Sequence, residues 1–135
     1  MTTFAKFECW VEDLAHKVHD LETDQIKVAL TNSAPTAGTD HQLSDITEIS
    51  YTNCSSRDVT TSSSGQTGGT YTLALTDLTL TASGGSVGPF QYVIIYNDTA
   101  TNDELIGYID YGSELTLSDG EELEIDFNAS TITLT

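Results

Sequence analysis

The chain has 135 residues, enough for one domain with a core of its own. Its 21 acidic residues stand against 4 basic ones, a formal net charge of −17; so few Lys and Arg cannot build the basic patch that binds a phosphate backbone or an anionic membrane surface. Apolar residues make up 38% and charged residues only 19%, with Thr and Ser supplying much of the rest; Thr, Val, Ile and Tyr favour a pleated, half-buried surface, so the balance leans towards strands.

Residues 4–21 are expected to form the one helix. Phe4, Phe7, Val11, Leu14, Val18 and Leu21 recur at spacings of three and four, which aligns them as one stripe. Thr2 or Thr3 is placed to cap it, and Glu12, Asp13, His16, Lys17, His19 and Asp20 fall on the opposite side. From Ile26 the period becomes two: Ile26, Val28 and Leu30 predict a half-buried strand, ended near Pro35, which cannot donate to a ladder. Residues 36–44 read as loop, and a short strand is expected over 46–51 with Ile46 and Ile49 inward. The Ser-, Thr- and Gly-rich stretch 53–69 reads as either a loop or a polar edge hairpin.

Tyr71, Leu73 and Leu75 alternate, and Leu78 and Leu80 continue beyond Asp77. The run from Phe90 to Tyr96 is the most apolar in the chain and fits a central strand buried on both faces. It is expected to pair as a hairpin with Leu105–Tyr111. Leu115 and Leu117 lead to Asp119-Gly120, a pair suited to a tight hairpin turn, and Leu123, Ile125 and Phe127 alternate on the return. A turn over 128–130 precedes a last strand with Ile132 and Leu134. The sum is a mainly β fold, a jelly-roll-like β-sandwich over residues 24–135 with an N-terminal amphipathic helix over residues 1–23, together one structural domain.

Motifs that carry chemistry are sparse. Cys9, Asp13, His16 and Asp20 lie along the polar side of the expected helix, but Cys9 and His16 would stand about 10 Å apart along its axis, too far to share an ion. That side is assigned to solvent. Asp98, Asn102, Asp103 and Glu104 crowd one loop without the ligand spacing of a calcium loop. The glycines at 65–69 and 84–88 match no phosphate-binding fingerprint, and all three His (His16, His19, His41) fall in the first third of the chain. Two cysteines, Cys9 and Cys54, are too few for a disulfide framework and read as free thiols. Residues 1–8 lack the sections of a secretory signal, and no apolar run approaches the ~18 residues of a membrane span. The expectation is a non-enzymatic protein made in a cytoplasm, with no catalytic residues, cofactor or metal, and no nucleic-acid or membrane partner.

The segments Phe4-Ala-Lys-Phe7, Val11-Glu-Asp-Leu-Ala-His-Lys-Val-His-Asp-Leu21 and Asp24-Gln-Ile-Lys-Val-Ala-Leu-Thr-Asn32, with Ala34-Pro35, resemble a family of small virion proteins of tailed bacteriophages. Gly88-Pro-Phe-Gln-Tyr92, Tyr96-Asn-Asp-Thr-Ala-Thr-Asn102, Asp110-Tyr-Gly112 and Leu115-Thr-Leu-Ser-Asp-Gly-Glu121 extend the resemblance over nearly the whole chain. The Ser/Thr-rich loop and the two cysteines depart from it. The resemblance implies a capsid decoration, or cement, protein. Such a protein binds the assembled major capsid protein on the virion exterior and forms a homo-oligomer, commonly a trimer. Phe4, Phe7, Val11, Leu14, Val18 and Leu21 are then the candidate oligomer or capsid interface. The alternative function is a tail or head-fibre adhesin for a host surface glycan.

Overall fold

A computed structural model describes residues 4–127 and 132–134. Strand β1 (Phe4–Lys6) and helix α1 (Cys9–Ala15) precede β2 (Ile26–Thr31), a 3₁₀ turn (Leu43–Asp45) and β3 (Asp58–Val59). Then follow β4 (Thr61–Thr67), β5 (Thr70–Leu75), β6 (Leu78–Thr81), β7 (Val87–Asn97), β8 (Leu105–Leu117), β9 (Glu122–Ile125) and β10 (Ile132–Leu134). The chain is mainly β, as its composition predicts, and all the pairings are antiparallel.

The largest sheet has the order β1-β8-β7-β2-β3. Its centre is β7, and both faces of that strand are buried, as its apolar run predicts. Val93 and Ile95 join Val28, Leu30, Ile106 and Ile109 in the main core, while Ile94 and Tyr96 join Phe7, Ala29 and Leu105 in a second cluster on the other side. Leu73, Leu75 and Ile132 of the β10-β5-β4 sheet and Leu80 and Ile125 of the β6-β9 pair fill the same main core. Ala29 is fully buried as well, so β2 is covered on both faces rather than half-buried.

The stretch 53–69 resolves towards the polar hairpin. Strand β4 lies at a sheet edge and pairs with β5 across Gly68 and Gly69. Their φ values of 60° and 87° are those a two-residue hairpin turn requires, which glycine adopts without steric cost. Residues 46–51 form no strand. They contribute one isolated bridge, Thr31 with Glu48, and Ile46 and Ile49 are half-buried.

The strands on either side of Asp119-Gly120 do not pair as a hairpin. Gly120 does adopt a positive φ of 89°, but β8 stays with β7 while β9 crosses to β6. The divergence is fixed at the turn, where the Gly120 amide donates to the Ala82 carbonyl at 2.8 Å and the Ala82 amide donates to the Glu121 carbonyl at 3.0 Å. Thr2, Thr3 and the turn expected at 128–130 lie outside the described residues.

The N-terminal helix differs most from expectation: it spans seven residues rather than residues 4–21. Phe4–Lys6 instead completes the edge of the five-stranded sheet, with Phe4 opposite Ile109. An open edge of β8 supplies ladder partners that a helical Phe4–Lys6 would leave unused, and this tertiary pairing overrides the local period. The helix ends at its other side on Lys17, a non-glycine residue at φ 68°. The Lys17 amide reaches the Leu14 carbonyl at 3.3 Å and the Val18 amide reaches the Asp13 carbonyl at 2.9 Å.

Candidate functional site

Shortening the helix also turns it. Trp10 and Asp13, three residues apart, point inward at 0% and 4% exposure, whereas Val11 is 41% exposed. The side assigned to solvent by spacing therefore carries a buried carboxylate. The six residues of the predicted stripe do not form one face. Phe7 belongs to the second cluster and Leu21 to the main core on the opposite side of the sheet, with Phe4 and Leu14 half-buried against that core. Val18 is half-buried.

Asp13 meets His41, 28 residues further along the chain. The ring Nε2 lies 3.1 and 2.9 Å from the two carboxylate oxygens. Cys9, one helical turn before Asp13, completes the cluster: a thiol sulfur, a carboxylate oxygen and a ring nitrogen all lie within 4.8 Å of one another. Two successive residues of β8 hold the segments that carry them. The Phe7 amide donates to the Ile106 carbonyl at 3.0 Å, and the Leu105 amide donates to the His41 carbonyl at 2.9 Å. The Asp45 carboxylate accepts from the His41 and Gln42 amides at 2.9 and 3.2 Å, and these bonds hold its pKa below the usual carboxylate value.

Burial, reinforced by the Asp13 charge, pushes the Cys9 thiol up to about 11. At neutral pH it is a protonated thiol, a poor nucleophile. It makes long contacts to the Asp40 and His41 carbonyls at 3.6 and 3.8 Å. Cys54 is also raised, by burial, with Arg57 acting against it.

A second network centres on Asn97, near enough to Asp13 for its charge to act on His19. Asn97, fully buried, accepts the Thr99 and Ala100 amides on Oδ1 at 2.9 and 3.1 Å. Its amide group therefore donates to His19 Nδ1 at 3.0 Å and to Asp24 Oδ2 at 2.7 Å. With Nδ1 accepting, the neutral His19 ring carries its proton on Nε2, and that buried atom has no hydrogen-bond partner among the described residues. Burial lowers the His19 pKa, against the opposing pull of Asp13, Glu104 and Asp24.

His19 opens onto a cleft of about 900 Å³ whose apolar wall includes Leu14, Val18, Leu21, Tyr71 and Leu134. Three of the predicted stripe residues thus meet after all, on a concavity rather than a helical ridge. Asp20, Asp24 and Glu104 supply its acidic side. Among the loop carboxylates singled out by sequence, Glu104 accepts the Asn102 amide at 2.9 Å. Asp103 sits at φ 52° with its pKa raised by burial and by the charges of Asp98 and Glu104.

No family model, curated protein or solved structure matches the chain. No helix among the described residues is long and apolar enough to cross a membrane.

Proposed function

We propose that the chain is a structural virion protein that decorates the outside of a tailed-phage capsid and stabilises the assembled shell. The observation that carries this reading is the resemblance extending over nearly the whole sequence. One feature supports it: a β core in which all three sheets share one cluster. Strands from the smaller sheets share the core face of the larger one, which supports reading the fold as a β-sandwich; the jelly-roll form belongs to the same proposal.

The major capsid protein is the partner, engaged by a homo-oligomer with a trimer favoured, and many copies stabilise the shell because they bind only its assembled state. Of the interface candidates, Val11 offers the most exposed surface, and Phe4, Leu14 and Val18 are half-buried. Deleting residues 2–21 would remove Phe7, Trp10 and Leu21 from the core, so a point substitution is the sharper probe. Val11→Asp is expected to fold normally and to decorate capsids less than the parent chain. Full occupancy by that variant would remove the helix from the contact.

The cleft favours one second reading, an adhesin for a host glycan, because Tyr71 and the carboxylates of Asp20, Asp24 and Glu104 combine an aromatic surface with hydroxyl acceptors. Copy number on the virion, counted by cryo-microscopy, separates the two. Hundreds of copies over the shell support decoration, and a few copies at a vertex or tail support the adhesin.

A further inference from the structure

We propose that Cys9, Asp13 and His41 form a binding site for a divalent transition metal of the zinc type. The first ground is geometry. A tetrahedral zinc ion with bonds of about 2.0–2.3 Å holds its ligand atoms roughly 3.3–3.8 Å apart. The three atoms here already lie within 4.8 Å of one another, and the carboxylate and imidazole are at 2.9 Å. Closing around an ion needs side-chain adjustments on the order of 1 Å.

The second ground is the state of Asp13. Its side chain is 6% exposed, and among the described residues both oxygens share one donor, the His41 Nε2. A carboxylate has about four acceptor positions, and a buried charge served by so few donors is costly. A cation placed between Asp13, His41 and Cys9 compensates that charge directly. The scaffold is prepared for it: α1 sets Cys9 and Asp13 one turn apart, and the Leu105–Ile106 pair of β8 fixes both ligand-bearing segments.

The donor set selects the ion. A thiolate sulfur with an imidazole nitrogen suits zinc and its neighbours, whereas calcium and magnesium take oxygen ligands. His41 has half its side chain exposed, which gives an entry route and leaves the fourth position to water. His19 is not the fourth ligand. The Asn97 amide occupies its Nδ1 and keeps the proton on Nε2, the wrong tautomer for coordination through that atom. On binding, Cys9 gives up its thiol proton to solvent. The proton on His41 Nε2 is exchanged through solvent to Nδ1, so that the neutral ring turns the Nε2 lone pair to the ion.

The test is titration of the intact chain with Zn(II) under reducing conditions, and with Co(II), whose thiolate charge-transfer absorption reports a sulfur ligand. One equivalent is expected to bind. Cys9→Ser and His41→Gln should each weaken binding at least as much as the 10–100-fold that loss of an outer-shell partner costs. The Co(II)–thiolate band should appear in the parent chain and in Cys54→Ser, and vanish in Cys9→Ser. His41 is half exposed, so its substitution leaves the fold in place, and circular dichroism of each variant verifies this. No binding, unchanged affinity in the two variants, a band that follows Cys54, or binding without a thiolate band would each overturn the site. The last of these is the signature of cations gathered loosely by an acidic surface.

Discussion

At the scale of single residues, the N-terminal strand depends on an atom that Gly107 lacks. A Cβ there would run into the Phe4 ring and come within 2.7 Å of the Ala5 carbonyl oxygen. Gly107→Ala is therefore expected to destabilise the chain by about 1–3 kcal/mol through overpacking, read from denaturant unfolding. Phe4→Leu in that background should recover part of the loss but not all, because the Ala5 backbone stays in place; strict additivity of the two substitutions would show that they do not meet. His19 gives a second expectation, this time in pH. Burial holds its folded pKa below 6.5, so the unfolded chain takes up a proton more readily than the folded one. The stability tied to a neutral His19 is fully present above about pH 6.5 and is lost as pH falls through the lower, folded value. His19→Gln keeps an acceptor for the Asn97 amide but does not titrate. Its melting temperature should fall less than that of the parent chain between pH 7.5 and pH 5, and parallel curves would refute the assignment.

At the scale of elements, the legible parts were those whose local pattern and tertiary setting agree. The apolar run from Phe90 to Tyr96 declares a central strand, and β7 is one, between β8 and β2. The glycines at 68 and 69 mark a turn, and the polar residues before them suit an exposed edge. The stripe over residues 4–21 misleads because a period of three and four is satisfied equally well by residues that end in different clusters. Phe7 and Leu21 are both buried, on opposite sides of one sheet. Neither a glycine nor a proline announces the helix end at Lys17, and no spacing rule brings His41 back to Asp13. The Cys9–Asp13–His41 cluster is a product of chain closure, invisible to any window along the sequence. The sheet order itself implies a gradient of local stability. Amides of β7, bonded on both sides and buried on both faces, should exchange with solvent most slowly. Those of β4, an edge strand whose side chains are largely exposed, should exchange fastest among the strands. Hydrogen exchange followed by NMR or mass spectrometry reads this directly, and equal protection of the two strands would contradict the order.

At the scale of the whole molecule, the dominant fact is charge. With 21 acidic and 4 basic residues, most carboxylates have no cation to face. Among the described residues the one ion pair between permanently charged groups is Lys27 with Asp58, at 3.8 Å and with the Asp58 side chain exposed; the His41–Asp13 contact is a pair of charges only when the ring is protonated. Exposed pairs of the first kind contribute at most about 1 kcal/mol, far too little to offset mutual repulsion spread over a −17 surface. That repulsion is larger in the folded state, where the charges are brought closer together than in the expanded chain. Salt should relieve it, because the Debye length falls from about 30 Å at 0.01 M to about 10 Å at 0.1 M. The expected result is a melting temperature that rises with sodium chloride across that range, by roughly 2–8 °C if the relief is on the order of 1–2 kcal/mol. Sodium chloride acts here by screening rather than by exclusion from the surface, so most of the rise should be complete near 0.1 M, with a plateau beyond. A continuing linear rise would point to strengthened apolar burial instead, and a fall would mean that attractive ion pairs, not repulsion, govern the electrostatics of the fold.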